Sequence, residues 1–326
     1  MRAIRLCLYV FVLAVVLLLV LYRGLFLLGA SEGEFEPPTA EARKAAVGTT
    51  KYLPAEERWA FSESDLFQGK RVPDPSDWLA NHREPGQSFD QFLRTKRNRF
   101  EKPRTTLYLQ PIGEFEPKAA NVLDQVADYA GIFFDADVTV QDPVAVQTLG
   151  VTTRENPIGR NQQLLSPEVL TWLKKDVPKD AYARIAVTMI DLYPADSWNF
   201  VFGQASLRDR VGVYSFQRYG EPGTPRFLRR CLQVFAHETG HMFAFYHCIH
   251  YECLMNGSNH LHESDQAPLF LCPVCLRKLH TANPFEIRSR YQLLGSFLRE
   301  GRLEDEAEWI DRRLRSFETF GNGGGG

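Results

Sequence analysis

The sequence lacks an excess of charge of either sign. Its 326 residues include 38 Lys and Arg against 40 Asp and Glu, which gives a formal net charge of −2. A chain so nearly neutral gives no electrostatic reason to bind nucleic acid. It also lacks any motif for ATP, other nucleotides or calcium. The composition, with 44 % hydrophobic residues, is that of a globular protein with one large domain or two small ones.

Long hydrophobic runs are scarce, and the conspicuous one lies at the N-terminus. Leu6 to Tyr22 is an unbroken apolar run with arginines on both sides. It is short for a membrane span and long for the core of a signal peptide. The flanking charges favour a cytoplasmic N-terminus, so residues 1–30 predict a single-pass signal anchor and a membrane location. A secretory signal peptide that is cleaved near Ala30 is the alternative.

The most informative pattern is the pentapeptide His237-Glu238-Thr239-Gly240-His241. Four positions along a helix turn through about 400°, so the two histidines lie about 40° apart on one face. That spacing suits two ligands of one Zn²⁺, and Glu238 can act as a general base on zinc-activated water. The pattern therefore predicts a zinc hydrolase that cleaves peptide bonds, although the motif alone can arise by chance in an amphipathic helix.

A third zinc ligand is predicted at His247, six residues after His241. On a continuing helix His247 would point about 240° away, so the chain must leave the helix and turn back. Glycine is the usual residue for such a turn because it adopts positive φ at no steric cost. Ala244 occupies the expected position here, where a left-handed alanine costs about 1 kcal/mol. The turn is therefore either mildly strained or built differently.

Cysteine is also scarce, and four of the six cysteines form two pairs, Cys248-x4-Cys253 and Cys272-x2-Cys275. Four thiolates complete the tetrahedral shell of Zn²⁺, so the pairs predict a second, structural zinc. Two disulfides are an alternative that is common only in oxidising compartments. A redox-active Cys272-Pro-Val-Cys275 is another, but no thioredoxin-type βαβ pattern surrounds it. We interpret Cys231 as a buried helix residue.

The string HExxHxxxxxHC-x4-C-x-M…C-x2-C, from His237 to Cys275, resembles the archaemetzincins, which are metzincin-type zinc peptidases with a second zinc site. The resemblance implies a peptide or protein substrate and two zinc ions per chain. It implies Glu238 as the general base and Met255 in a methionine turn beneath the catalytic metal. Glycine is the family's residue at the position of Ala244. The implied ligands are His237, His241 and His247 for the catalytic zinc, and Cys248, Cys253, Cys272 and Cys275 for the second.

The predicted fold class is α+β: a metzincin-like zincin domain with a mixed sheet, an active-site helix from about Pro225, and C-terminal helices. Hydrophobic periodicity predicts a helix from Ser166, capped by that serine, and strands at 105–112, 132–140, 183–192, 200–205 and 211–216. By position and resemblance, we expect Val211 to Phe216 to be the edge strand that receives substrate.

Composition divides the chain into five parts. After residues 1–30 comes an extension rich in Pro and charged residues, interpreted as a partly ordered stalk that wraps the domain. The predicted parts that follow the anchor are the extension (31–104), the metallopeptidase domain (105–284), a C-terminal helical hairpin (285–320) and a Gly-rich tail (321–326). A different function remains open, namely a catalytically inactive, zinc-braced scaffold that binds peptides, although an intact Glu238 argues against it.

Overall fold

The computed structural model describes residues 35–322. Four helices come first, strands and helices are then interspersed, and five helices follow the last strand. The strands are β1 (Thr106–Ile112), β2 (Asp137–Val140), β3 (Thr153–Glu155), β4 (Gln162–Leu165), β5 (Ala181–Thr188), β6 (Asp191–Tyr193), β7 (Gly203–Ser206) and β8 (Val211–Ser215). The helices up to the third strand are α1 (Ala40–Val47), α2 (Ala55–Ala60), α3 (Trp78–Asn81), α4 (Phe89–Arg94), α5 (Pro117–Phe134) and α6 (Val146–Leu149). The later helices are α7 (Ser166–Lys174), α8 (Pro225–Met242), α9 (Leu261–Gln266), α10 (Pro273–Ala282), α11 (Ile287–Glu300) and α12 (Glu304–Asn322).

The membrane prediction is corrected. Among residues 35–322, every helix is either too short or too polar to cross a membrane. The predicted anchor itself, residues 1–30, lies outside the described residues, as does most of the Gly-rich tail. The single-pass membrane assignment is therefore withdrawn.

A five-stranded sheet with the order β2-β1-β5-β8-β7 organises the fold. Strands β2, β1, β5 and β8 run parallel to one another, and β7 pairs antiparallel with β8. All eight residues of β5 are buried, as expected for a parallel strand that is covered on both faces. A smaller sheet has the order β3-β4-β6. The expected combination of helices with a mixed sheet is confirmed.

Several predicted boundaries are wrong for physical reasons. The strand expected at 132–140 begins only at Asp137, because α5 continues to Phe134 and buries its last apolar turn in the core. The run 183–192 splits into β5 and β6, which belong to different sheets. Ser166 is the first residue of α7 and not its cap, since its hydroxyl donates to the Tyr193 carbonyl at 3.1 Å.

The expected substrate strand is also wrong. Val211–Ser215 lies inside the sheet between β5 and β7, with all five residues buried, so both of its edges are already hydrogen-bonded. The edge strand on this side of the sheet is Gly203–Ser206, and β2 forms the other edge. Burial of apolar residues does not distinguish an inner strand from an outer one, which is why the sequence pattern selected the neighbour.

The segment from Pro37 to Arg104 contributes to the hydrophobic core. Trp59 is buried, and its indole N–H donates to the Ser316 hydroxyl at 3.0 Å. Arg313 is 1 % exposed and donates to the carbonyls of Trp59 (2.7 Å) and Ala60 (3.0 Å). This segment is therefore held by the last helix, α12, which itself packs against α11.

Candidate metal centre and active-site cleft

Helix α8 presents the first two histidines. It begins after Thr224, whose hydroxyl accepts a hydrogen bond from the Phe227 N–H at 3.2 Å, and Pro225 stands in its first turn. Its apolar face is buried, so the helix cannot rotate without exposing core residues. At its C-terminal end the rings of His237 and His241 lie 4.7 Å apart.

A left-handed turn brings the third histidine back. The helix ends at Met242, and Ala244 adopts a φ of 65°. The first of the two alternatives, a mildly strained alanine turn, is therefore the one that the chain uses. His247 then returns to the helix, with its ring 4.9 Å from His241 and 5.3 Å from His237.

Each of the three imidazoles is oriented through its Nδ1 atom. The acceptors are Leu254 O for His237 (2.9 Å), Phe245 O for His241 (2.6 Å) and Glu84 Oε1 for His247 (2.7 Å). Carbonyl and carboxylate oxygens only accept hydrogen bonds, so Nδ1 carries the proton in each ring. Each Nε2 therefore offers a lone pair.

These lone pairs fit a zinc ion. The Nε2 atoms of His237 and His241 are 3.1 Å apart, and neither has a proton to share with the other. Two facing lone pairs at that distance repel each other unless a cation lies between them. Nitrogens on tetrahedral zinc lie about 3.3 Å apart, because each Zn–N bond is roughly 2.0–2.1 Å long. The donor set, its tautomers and its spacing all suit Zn²⁺.

Burial keeps the two helix histidines neutral, which is the form that binds metal. Desolvation, followed by the neighbouring histidines, lowers the pKa of His237 well below its usual value. Burial and His247 lower the pKa of His241 to about 4. Both imidazoles therefore have a free lone pair at neutral pH.

Glu238 lines the cleft beside His237 and His247. Burial raises the pKa of this carboxyl to about 7. A group with a pKa near the working pH can both accept a proton and release it, which is the property that a general acid–base requires.

The four clustered cysteines converge at a second centre. Their sulfurs lie within 4.8 Å of one another, and all four side chains are buried. Cys248 Sγ and Cys272 Sγ are 3.6 Å apart, far longer than the roughly 2.04 Å of a disulfide. Two sulfurs on tetrahedral zinc lie about 3.8 Å apart, given Zn–S bonds of about 2.3 Å. The geometry favours a metal over the predicted disulfide alternative.

Met255 packs beneath the helix that carries the histidines. It is fully buried, and a Cβ added at Gly240 would come within 2.6 Å of its sulfur. Its carbonyl accepts a hydrogen bond from the Cys248 N–H at 2.7 Å. Met255 thus lies between α8 and the cysteine centre, and Gly240 is required for the close approach.

A cleft of about 500 Å³ lies over the histidines. Its lining includes residues 200–203, which lead into β7, together with Leu254, Asn256 and Leu261. Trp78 and the half-exposed Trp198 also line it. The cleft combines apolar side chains with the imidazoles of His237 and His247 and the Glu238 carboxylate, and binding sites for organic ligands commonly have this composition.

Sequence reasoning missed two residues of this site, Glu84 and Trp78, which both come from the Pro- and charge-rich extension. The Trp78 ring meets the His247 ring edge-on at 5.2 Å. Burial raises the pKa of Glu84, but the hydrogen bond from His247 counteracts it, and the pKa lies below its usual range. The nearest signal in the sequence is the Pro85-Gly86 turn dipeptide, which indicates a bend but no contact.

Asp77, His260 and Glu263 form a third cluster of potential metal ligands. Their hydrogen bonds instead connect them to one another and to the Trp78 backbone. His260 Nδ1 accepts the Glu263 N–H at 3.1 Å, so the Nε2 of the neutral ring carries the proton and faces Asp77 at 3.4 Å. The Glu263 carboxylate accepts the Trp78 N–H at 2.9 Å. A protonated Nε2 cannot bind a metal, and the cluster instead fixes Trp78 at the cleft.

The left-handed conformation of Ala244 predicts how substitutions at this position change the free energy of unfolding. Ala244→Val is expected to lower the free energy of unfolding by at least about 2 kcal/mol, because a β-branched residue is strongly disfavoured at positive φ and the site is buried. Ala244→Gly is the matched control and should change it by less than about 1 kcal/mol, since relief of strain offsets lost burial and added chain entropy. Urea unfolding of the zinc-loaded protein measures both. Equal effects of the two substitutions would contradict a left-handed turn.

Comparison with known proteins gives consistent results. The model of peptidase family M54 matches residues 161–281. Archaemetzincin-2 of Macaca fascicularis is 38 % identical over 296 residues, covering 80 % of this chain and 81 % of that protein. Archaemetzincin-1 of Mus musculus is 30 % identical over 293 residues, covering 77 % and 58 %. Among solved structures, an archaemetzincin from Methanopyrus kandleri aligns with a TM-score of 0.46 at 25 % identity, covering 56 % of this chain and 97 % of that one.

Proposed function

The chain belongs to the archaemetzincins, the zinc metallopeptidases of peptidase family M54, and on that premise we propose that it hydrolyses peptide bonds in the cleft over His237, His241 and His247. One observation carries the proposal. Three Nε2 lone pairs converge on one point beside Glu238, and an acceptor on each Nδ1 fixes their tautomers.

The chemistry divides between the metal and one carboxylate. Zinc held by the three histidines would supply a Lewis acid that acidifies water and polarises a peptide carbonyl. Glu238 takes the proton from the attacking water and passes it to the leaving amine. A pKa of about 7 suits both halves of this transfer, because the carboxylate is available as a base and the acid form is accessible afterwards.

We assign a second zinc to Cys248, Cys253, Cys272 and Cys275, which makes two per chain. The spacing of the sulfurs supports this role. Because Cys248 directly follows His247, a metal on the cysteines would brace the segment that delivers the third histidine. Four thiolates leave no open position, so this metal would be structural.

We propose that the substrate binds along the edge of β7, as an added strand, in the metzincin-like manner. This strand ends the sheet at the cleft, and Gly203 lines the cleft wall. An extended peptide could add to that edge through main-chain hydrogen bonds. Val234 and Leu261 line the same cleft and would accept an apolar side chain of the substrate.

The division into domains also remains a proposal. We place the metallopeptidase domain at 105–284 and the helical hairpin at 285–320. Within the extension at 31–104, residues 37–104 then act as an integral support and not as a separate unit, since Trp59 and Phe92 are buried in the common core.

Zinc content of the purified full chain tests the proposal. We expect two zinc ions per chain in the wild type and one in His241→Ala, because the cysteine centre does not involve His241. His262→Ala, at an exposed histidine outside the cleft lining, is the matched control and should retain two. A single zinc that survives His241→Ala would mean that the histidine site does not hold metal, and the inactive peptide-binding scaffold would then be the better function.

A further inference from the structure

The third histidine is held by a part of the chain that lies outside the family match. His247 Nδ1 donates to Glu84 Oε1 at 2.7 Å, whereas the family model covers residues 161–281. His237 and His241 are fixed by a long buried helix and donate to backbone carbonyls. His247 lies after the helix and its turn, so it lacks the support of the helix. Its Nδ1 donates to a side chain, whereas the other two histidines donate to backbone carbonyls.

The close approach of residues 84–87 to the segment after His247 brings Glu84 to this position. These residues form an irregular segment between α3 and α4, and Gly86 has a φ of +62°. A Cβ at Gly86 would come within 2.5 Å of Ile249 Cγ1, so only glycine allows this segment to lie against the chain after His247.

Gln87 extends the same support to the left-handed turn. Its side-chain amide donates to the Ala244 carbonyl at 3.1 Å and accepts from the Tyr246 N–H at 3.4 Å. Its own carbonyl accepts from Lys278 Nζ at 2.6 Å, and Lys278 is 1 % exposed. Gln87 thus satisfies two backbone groups of the turn and ties it to α10, the helix that carries Cys275.

Glu84 is not well placed to add stability in its own right. Its second oxygen, Oε2, is buried without a hydrogen-bond partner. A buried carboxylate oxygen in that state costs free energy, so stability alone does not explain the residue. The role of Glu84 is better explained by its effect on the His247 ring. A carboxylate that accepts from Nδ1 fixes the tautomer and orientation of a metal-binding imidazole and raises its basicity.

We propose that the segment Glu84-Pro85-Gly86-Gln87 positions the third zinc ligand. Glu84 is the positioning residue that holds His247 in the Nδ1–H tautomer with Nε2 towards the metal. Gln87 holds the strained turn at Ala244 in register with it. The proposal rests on the proposed function, in that it takes His247 as a ligand of the catalytic zinc.

Metal affinity of the full chain tests it, with Glu84→Gln and Glu84→Ala as variants. Glu84→Ala should weaken zinc binding at the histidine site by roughly 10- to 100-fold in chelator competition. Glu84→Gln should fall between, because the amide oxygen still accepts the Nδ1 proton without the charge. With Co²⁺ in place of zinc, the visible absorption bands of both variants should shift, which a general loss of stability would not cause.

Two controls separate the possible failures. Glu63→Gln breaks another ion pair of the same extension, with Arg43 at 2.6 Å, and should leave affinity and spectrum unchanged. Wild-type affinity and spectrum in both Glu84 variants would overturn the positioning role. If His247→Ala also kept the wild-type affinity, the proposed function itself would fail. Should Glu84→Ala not fold, the nearly isosteric Glu84→Gln carries the test.

Discussion

Replacing Glu238 with glutamine is expected to lower kcat for peptide hydrolysis by about 10²- to 10⁴-fold. The amide has nearly the same size but accepts no proton at neutral pH, so water would have to lose its proton without a positioned base. Zinc content should stay at two per chain, because Glu238 does not belong to either group of convergent ligands. Initial rates on a peptide library, together with elemental analysis of the same samples, measure both quantities.

A matched control for this prediction lies far from the cleft. Glu308 is an exposed glutamate of α12, and Glu308→Gln makes the same chemical change there. It should leave kcat and KM as in the wild type. Near-normal turnover in Glu238→Gln would mean that another group accepts the proton, and the role assigned to Glu238 would be wrong.

Replacing Cys253 with serine is expected to have the largest effect on stability. Structural zinc sites bind with apparent free energies of about 10–16 kcal/mol in peptides, whereas a whole domain is stable by only about 5–15 kcal/mol. Loss of one thiolate should therefore remove the metal and most of the folding free energy of residues 248–275. Thermal unfolding and zinc content of the full chain should both fall.

The control for this substitution is the other described cysteine. Cys231 is buried in α8 but lies outside the cysteine centre, so Cys231→Ala should cost only about 1–2 kcal/mol and leave the zinc content unchanged. If Cys253→Ser kept its zinc and unfolded at the wild-type temperature, the four cysteines would not form a structural metal site.

The part of the site that could be predicted is the part that helical geometry encodes. His237 and His241 share a face because of the helix repeat, and the same repeat requires a turn before His247. The turn occurs at Ala244, with a φ of 65°. Local periodicity and residue chemistry sufficed because all these residues lie within one short stretch of chain.

Glu84 could not be found in this way. It lies 163 positions before His247, and no periodic pattern links the two. The same limit applies to strand order. The apolar runs at β5 and β8 were recognisable as strands, but their order in the sheet depends on long connections. The chain passes from β2 to β5 through β3, β4 and α7, and from β5 to β8 through β6 and β7. Sequence therefore predicted the elements and the clustering of nearby histidines better than the contacts between distant segments.

The interaction of Trp59 with α12 has a consequence for protein synthesis. Arg313 closes over Trp59 from 254 positions away, and Trp59 belongs to the same extension as Glu84. A ribosome needs roughly 10–50 s to add the residues between them, at about 5–20 residues per second. Until then the extension lacks the helix that holds it, and the support for His247 is incomplete. We therefore expect a nascent chain to complete the packing of its N-terminal extension only after α12 has been synthesised.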